Sequence, residues 1–435
     1  MFSFSHTLRV KIKNMTDKIL AAVDIGSSKI ATIVGLKSTD SDEIRIIGFH
    51  SSLSKGVKKG LIVDIDEITM AVEESVEKTE RMAGHKITQV FVSVGGPHIS
   101  SLNSHGVVAI SNPQGEIIED DVNRAVEAAK AISISNTRQV IEVIPREYVV
   151  DGQAGIKNPI GMTGIRLEVD THIITASLTN LKNLDRCLSE LGLTNIGFIF
   201  SGLASAQATL TDTEKELGVV LVDIGGGKTD ICLYVEGALS YSSSIPVGAK
   251  HITNDIAVGL RVSLQSAEKI KLYLSHLLQN KKEPQKKDAE LNLSALQLPE
   301  NVSTVTLKTL TDGIIAPRLE EIYKLVSEEI EKSGFVNSIP SGLVITGGGA
   351  MTIGMLELGR KYMAMPIRIG SPIGVTGLVD ELLNPQYTTT VGLLLYGQKN
   401  IISEDGWKNF NRILRDISFA NSINKVKEFF KQFIP

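Results

Sequence analysis

Gly218-Val-Val-Leu-Val-Asp-Ile-Gly-Gly-Gly-Lys-Thr-Asp230 is the stretch from which the rest of the chain can be read. Val219 to Val222 form an apolar, β-branched run suited to a strand buried on both faces, and Asp223 closes it where three glycines begin. A strand therefore delivers a carboxylate and a bare backbone to one point. Gly225, Gly226 and Gly227 put no side chain between their N–H groups and an anion, so phosphate is the expected guest. Lys228 and Thr229 add donors, and Asp223 is placed for a metal ion.

A glycine run after a strand also fits an ordinary tight hairpin; a second copy distinguishes the two. Leu20 to Lys29 reads Leu-Ala-Ala-Val-Asp-Ile-Gly-Ser-Ser-Lys, again an apolar strand, again Asp-Ile-Gly, again small residues and a lysine. Two such turns far apart suggest a duplicated domain with two phosphate hairpins facing one cleft. Asp24 and Asp223 then flank a hydrated Mg²⁺, which takes few protein carboxylates and keeps several waters. A third cluster, Thr346-Gly347-Gly348-Gly349-Ala350, follows the strand Leu343 to Ile345 and is expected where backbone approaches a nucleoside. A Walker A loop ending at Gly227-Lys228-Thr229 is excluded because it needs glycine at Val222, and no Gly-x-Gly-x-x-Gly follows a strand in a dinucleotide-binding context.

Composition fits a globular protein of several packed subdomains: 435 residues, 42% hydrophobic and 22% charged. A net charge of -4 gives no reason to expect nucleic acid as a partner. Cys187 and Cys232 read as small buried hydrophobes rather than a disulfide or zinc pair. His98, His105 and His172 fit no zinc spacing and read as solvated or core histidines. No apolar run reaches the roughly 18 residues of a membrane span, and Met1 to Asp17 lacks the apolar core of a secretion signal. Met15 precedes a natural domain start, so Met1 to Asn14 is expected to be an extension or a misassigned start.

Along the chain, strands are expected at Ile30 to Leu36, Ile44 to Phe49 and Val90 to Val94, with a helix opened by Asp66 and ended by Gly84. His98 to Ile174 reads as a compact insertion with a strand at Gly106 to Ile110, a helix at Asp120 to Ile132 and two extended runs, Gln139 to Val150 and Gly164 to Ile174. Thr211 to Leu217 reads as a charged connecting turn, Gln279 to Asn301 as an exposed excursion, and Gly313 to Gly334 as an amphipathic helix.

The quoted motifs resemble the two phosphate motifs and the adenosine motif of the actin, heat-shock chaperone and sugar-kinase superfamily. Leu203-Ala-Ser-Ala-Gln-Ala208 and Val391-Gly-Leu-Leu-Leu-Tyr-Gly397 resemble its two connecting helices. Within it, Lys18 to Pro435 is most similar to the FtsA family of bacterial cell-division proteins; the His98 to Ile174 insertion and the Val247 to Ile256 segment carry much of that resemblance. The resemblance implies an α/β fold of duplicated actin-like (ribonuclease H-like) ATPase domains around a nucleotide cleft, with an FtsA-type 1C subdomain inserted and a C-terminal amphipathic helix. Its expected divisions are an extension at 1–17, domain 1A at 18–97 and 175–212, insert 1C at 98–174, and domain 2A at 213–262 and 341–389. Subdomain 2B takes 263–340, a closing helix of 1A takes 390–400, a linker 401–420 and a membrane-targeting helix 421–435.

ATP and Mg²⁺ are the implied cofactors. Asp24 and Asp223 would organise Mg²⁺; Gly26, Ser27, Ser28, Lys29, Gly225, Gly226, Gly227, Lys228 and Thr229 would hold phosphates; Gly347, Gly348 and Gly349 would approach the nucleoside. Glu268 and Lys271, three apart on the helix Leu264 to Leu278, correspond to the superfamily's ribose carboxylate and adenine-side lysine; a solvated salt-bridged face is the other reading. Gln207 lies near the glutamine with which actin orients its attacking water, so catalysis, if any, falls to it.

The tail is read from its spacing. Ile423, Val426, Phe429, Phe430, Phe433 and Ile434 project onto one arc of roughly 140°, bordered by Lys425, Lys427 and Lys431, as an interfacial membrane helix requires. Each lysine near an anionic leaflet adds about 1 kcal/mol and each buried apolar side chain roughly 1.5–3 kcal/mol before ordering costs, so single tails bind reversibly and polymers hold firmly. The implied protein polymerises on the cytoplasmic face of the membrane at the division site and anchors the ring of FtsZ there, with downstream division proteins as further partners. A pilus-assembly ATPase and a soluble kinase of the same superfamily are the rival readings.

Overall fold

The computed structural model describes residues 18–37, 43–279, 290–300 and 302–401. The first lobe begins with β1 (Lys18–Ile25), β2 (Lys29–Lys37) and β3 (Ile44–Leu53), followed by the short pair β4 (Val57–Lys58) and β5 (Leu61–Ile62), α1 (Ile65–Ala83) and β6 (Gln89–Val94). The insertion comprises β7 (Ser100–Ala109), α2 (Glu119–Lys130), β8 (Arg138–Val150), β9 (Gln153–Ile156) and β10 (Arg166–Ser177). The chain returns through α3 (Leu178–Glu190), β11 (Thr194–Phe200), α4 (Ser201–Thr209) and α5 (Asp212–Leu217). The second lobe follows: β12 (Val219–Ile224), β13 (Thr229–Val235), β14 (Ala238–Ile245), α6 (Ala249–Leu260), α7 (Leu264–Gln279), β15 (Glu290–Asn292), β16 (Thr304–Thr306), α8 (Ala316–Ser333), β17 (Leu343–Thr346), α9 (Met355–Met363) and β18 (Ile367–Ile369). Finally β19 (Val375–Gly377) and α10 (Thr388–Ile401) go back to the first lobe.

The two lobes are copies of one design. One sheet runs β3-β2-β1-β6-β11, with β19 added beside β3, and the other runs β14-β13-β12-β17-β18. In each, three antiparallel strands are followed by two parallel ones. The central strands are apolar on both sides because both faces are covered. Ala21 and Val23 of β1 pack with Ile68 and Val72 of α1, while Leu20 and Ala22 pack with Val391 and Leu394 of α10. Likewise Val219 and Leu221 of β12 join the core shared with the first lobe, and Val220, Val222 and Ile224 join that of the second. This double burial is the reason the strands read as continuous hydrophobic runs rather than as an alternation. Cys187 and Cys232 are free and buried in the first of these cores.

The insertion forms its own four-stranded sheet, β7-β10-β8-β9, with α2 packed over it and a separate small core around Ile117, Ala125, Leu167 and Val169. Ile174 and Ala176 of β10 join the apolar core that includes Tyr234 and Leu239 of the second lobe, and polar contacts add to it. Ser101 Oγ donates to the Ser242 carbonyl at 2.6 Å, Asn103 Nδ2 to the Ser240 carbonyl at 3.2 Å, and His172 Nε2 lies 2.9 Å from Ser242 Oγ. His172 is buried and held neutral, its pKa pushed down to about 3 by desolvation, with Arg146 adding to the effect.

Several local expectations are corrected. Helix α1 is capped by Asp64, whose carboxylate accepts from the Glu67 amide at 3.0 Å, two residues before Asp66. Thr211 to Leu217 is not a turn: Thr211 and Glu214 form a reciprocal capping box that starts α5. Arg368 also grips Glu214, at 2.6 Å, and is the main cause of its carboxyl falling to about 2. The described part of the Gln279 to Asn301 excursion contributes β15, which pairs with β16 and buries Leu291. The Gly313 to Gly334 helix is preceded by a wider π-type turn at Thr309–Ile315, and the first strand of the insertion, β7, starts six residues earlier than Gly106. The tail Ile423 to Ile434, the linker and Met1 to Asp17 lie outside the described residues.

One half-buried acid joins the insertion to the first lobe. Tyr396 Oη of α10 donates to Glu142 Oε2 of β8 at 2.6 Å, and desolvation at this junction raises the Glu142 pKa from 4.5 to about 8. The folded state thus holds a proton that the unfolded chain releases, and the stabilisation present below about pH 4.5 is lost as pH rises through about 8. In urea titrations the wild-type chain should lose stability relative to Glu142→Gln between those two values; a constant difference would contradict the assignment.

Candidate nucleotide site

The two hairpins are superimposable in their hydrogen bonding. The Gly26 amide donates to the Lys29 carbonyl at 3.0 Å, and the Gly225 amide donates to the Lys228 carbonyl at 2.9 Å. Asp24 pairs across with Ala31, and Asp223 with Asp230. The hairpins meet face to face: a Cβ on Gly226 would overlap the Ser28 hydroxyl, and one on Gly227 would sit 2.8 Å from Ser27 Oγ. Glycine is required here for hairpin-to-hairpin approach.

Both aspartates are buried and both are held by hydroxyls. Asp24 accepts from Ser93 Oγ at 2.7 Å and from Thr390 Oγ1 at 3.1 Å. Asp223 accepts from Ser205 Oγ at 2.5 Å and from Thr389 Oγ1 at 2.9 Å. Adjacent threonines at the start of α10 therefore reach the equivalent carboxylates of the two lobes, and Thr388 Oγ1 lies 2.7 Å from Thr346 Oγ1 beside the third glycine cluster. Burial raises the Asp223 pKa, with the nearby Asp230 charge adding to it.

The lysines behave differently from one another. Lys29 sits 3.6 Å over the Tyr387 ring and donates to the Gln386 carbonyl. Desolvation lowers its pKa to about 7, against the opposing pull of Asp24, Asp223 and Glu381. Lys228 turns away from its glycines, pairs with buried Asp230 and donates to Ser201 Oγ at 2.5 Å. Thr229 is buried and donates to the Val247 carbonyl at 2.8 Å, so its side chain is already engaged. Lys250, to which the sequence reading assigned no role, crosses the cleft from α6 and donates to the Ser27 carbonyl at 2.6 Å.

At the third cluster Gly347 has φ 82° and lies so close to Asp223 that a Cβ would overlap its carboxylate. Gly349 is packed against Ile224, whereas a Cβ on Gly348 would meet nothing nearer than Gln386 Cβ, at 3.7 Å. Two of these glycines are thus demanded by the hairpin strand, and Gly348 leaves backbone open to a ligand. Glu268 and Lys271 pair at 2.8 Å, and Lys271, buried, also bonds Thr253 Oγ1 at 2.9 Å next to Lys250 on α6. Gln207 is half-buried on α4, and the hydroxyl that meets Asp223 from that helix belongs to Ser205.

The donor set suits a metal–polyphosphate. Two buried carboxylates face a shared lysine, and hairpin amides and ammonium groups surround them. Among the described residues no group of three or more His, Cys, Asp or Glu gathers for a metal. An ion at Asp24 and Asp223 would thus complete its shell with water and phosphate, as Mg²⁺ does.

Residues 96–175 match the family described as the SHS2 domain inserted in FTSA, and residues 220–392 match the family Cell division protein FtsA. A Pseudomonas aeruginosa protein named Cell division protein FtsA is 38% identical over 380 residues, 87% of this chain and 89% of the relative. The chain belongs to the FtsA family. Membership gives it a part in cell division and identifies the β7–β10 insertion as the SHS2 domain of FtsA proteins. The solved PilM–PilN type IV pilus biogenesis complex superimposes with a TM-score of 0.60 at 14% identity, covering 87% of this chain and 98% of that one. MreB5 of Spiroplasma citri bound to ADP superimposes with a TM-score of 0.52 at 13% identity, covering 89% and 99%. Both likenesses show the actin-like fold that FtsA proteins share.

Ser93, Ser201, Ser205, Thr389, Thr390, Asp230 and Lys250 are the site residues that sequence reasoning missed. Asp230 carried a usable signal, standing in β13 opposite Asp223 in a run that is otherwise apolar. The Lys228 side chain is 13% exposed and that of Asp230 2%, so they form a buried ion pair. Removing one partner strands the other. Lys228→Met should therefore cost about 3 kcal/mol of unfolding free energy in urea, and adding Asp230→Asn should restore most of it. Equal losses in the single and double variants would contradict the pairing.

Proposed function

We propose that this FtsA-family chain binds ATP with Mg²⁺ in the cleft between its two lobes, polymerises on the cytoplasmic face of the cell membrane at the division site, and anchors the FtsZ ring there. The observation that carries the reading is the pair of threonine contacts at the start of α10, which align Asp223 and Asp24 from the two lobes. Nucleotide-bound MreB5, similar in fold, supports the choice of guest.

ATP would supply the polyphosphate, and Mg²⁺ the charge that lets it sit between two carboxylates. The chain's own residues do the rest. Amides of Gly26 to Ser28 and Gly225 to Gly227 would cradle phosphate oxygens, and Lys29 and Lys250 would neutralise them. Gly348 would let the nucleoside lie close to backbone, with Glu268 and Lys271 on the neighbouring helix oriented toward the ribose and base. By resemblance to actin, Gln207 is assigned to the attacking water. The apolar arc Ile423 to Ile434, flanked by Lys425, Lys427 and Lys431, supports a reversible membrane anchor whose strength grows with filament length.

Sedimentation with anionic liposomes, ATP and Mg²⁺ tests the reading on the full chain and on a chain ending at Ala420. Filaments on liposomes are expected for the full chain alone, and FtsZ added to that pellet should co-sediment. Both chains remaining in the supernatant without filaments, or FtsZ left behind, would contradict it.

A further inference from the structure

The second hairpin is wired to the root of the SHS2 insertion. The insertion leaves the first lobe at Val94-Gly95-Gly96, immediately after β6, and this corner lies against Lys228: a Cβ on Gly95 would overlap the Lys228 ammonium and the Ser201 hydroxyl. Ser201 Oγ lies 2.7 Å from Asp230 Oδ2 and 3.1 Å from the Val94 carbonyl, and its single proton can serve only one of them at a time. On the other side of the carboxylate, Ser244 Oγ donates to Asp230 Oδ1 at 2.6 Å and accepts from the Gly96 amide at 3.1 Å. Ser244 belongs to β14, the edge strand on which Ser101, Asn103 and His172 of the insertion dock. Arg138 ties the same corner to the far end of the insertion, donating to the His98 carbonyl at 2.9 Å and to Thr175 Oγ1 at 2.9 Å.

We propose that Lys228 is shared between a nucleotide phosphate and Asp230, so that competition for its ammonium transmits nucleotide occupancy to the root of the SHS2 insertion. The proposal rests on the ATP reading above and adds regulation to that site. The physical reason is scarcity of counter-charge. Asp230 is buried, and its cation is Lys228, the lysine that closes the second phosphate hairpin. A phosphate that draws Lys228 toward the glycines leaves the carboxylate dependent on hydroxyl donors. Ser201 then commits its proton to Asp230 and abandons the Val94 carbonyl, and Ser244 is pulled toward Asp230 and away from the Gly96 amide. Both losses fall on Val94-Gly95-Gly96, where the insertion leaves the first lobe.

Hydrogen exchange of the full chain, with and without ATP and Mg²⁺, reads this directly, while calorimetry on the same samples measures ATP binding. In the wild-type chain ATP should speed exchange across Val94 to Ile99 about tenfold, the order expected for losing one neutral hydrogen bond such as that of the Gly96 amide to Ser244 Oγ. Ser244→Ala lies outside the phosphate hairpins. It should bind ATP as the wild type does, yet exchange quickly at this corner whether or not ATP is present. The Lys228→Met/Asp230→Asn chain should likewise show no ATP response there. ATP binding with unchanged exchange in the wild type, or a full ATP response in Ser244→Ala, would overturn the link alone. Absence of ATP binding by calorimetry would overturn both the link and the nucleotide reading.

Discussion

The first turn of α10 is the constraint on which the cleft depends. Thr389 and Thr390 are neighbours in sequence, yet one reaches Asp223 and the other Asp24, the equivalent carboxylates of two separate sheets. Their placement is favourable beyond the hydrogen bonds, because the N-terminal end of a helix carries partial positive charge and stabilises nearby carboxylates. Once these two side chains share one turn, the hairpins that follow the aspartates must face each other, and Ser27 and Ser28 come against Gly226 and Gly227. The same helix packs through Val391 and Leu394 under β1, so the pin is rooted in the first lobe's core.

The insertion is attached by a different kind of interface. Its own core is small, and it meets the second lobe through hydroxyls, an amide, a guanidinium and a neutral histidine, while Ile174 and Ala176 of β10 and Ile141 and Ile144 of β8 join the apolar core shared with both lobes. Arg146 contributes both to Ser240 Oγ at 3.2 Å and over the Phe335 ring, bridging β14 and the segment after α8.

The duplication was legible because double burial writes a plain signal: Val219 to Val222 and Leu20 to Val23 are apolar at every position, and each ends in Asp-Ile-Gly. The FtsA-type insertion was legible by order of elements, and its family match bears that out. What the sequence concealed was side-chain partnership. Thr388 to Thr390 look like an ordinary helix start, and nothing in their spacing says that each meets a different strand. Lys228 stands in a phosphate motif, but the buried carboxylate two residues on captures it, a tertiary choice that local reading misses. The capping box at Thr211 and Glu214 was present in the sequence and overlooked because charge density suggested a turn. β11, β18 and β19 are short or mixed in polarity, and their pairing partners lie far along the chain, so periodicity gave them little weight.

A crystal structure of the full chain with a non-hydrolysable ATP analogue and Mg²⁺ tests the central claim most directly. The account predicts phosphates between Gly26–Lys29 and Gly225–Lys228, with the ion facing Asp24 and Asp223 through water while Thr389 and Thr390 keep their carboxylates. A nucleotide bound elsewhere, or one that leaves Ser28 packed on Gly226 with no phosphate between the hairpins, would contradict it.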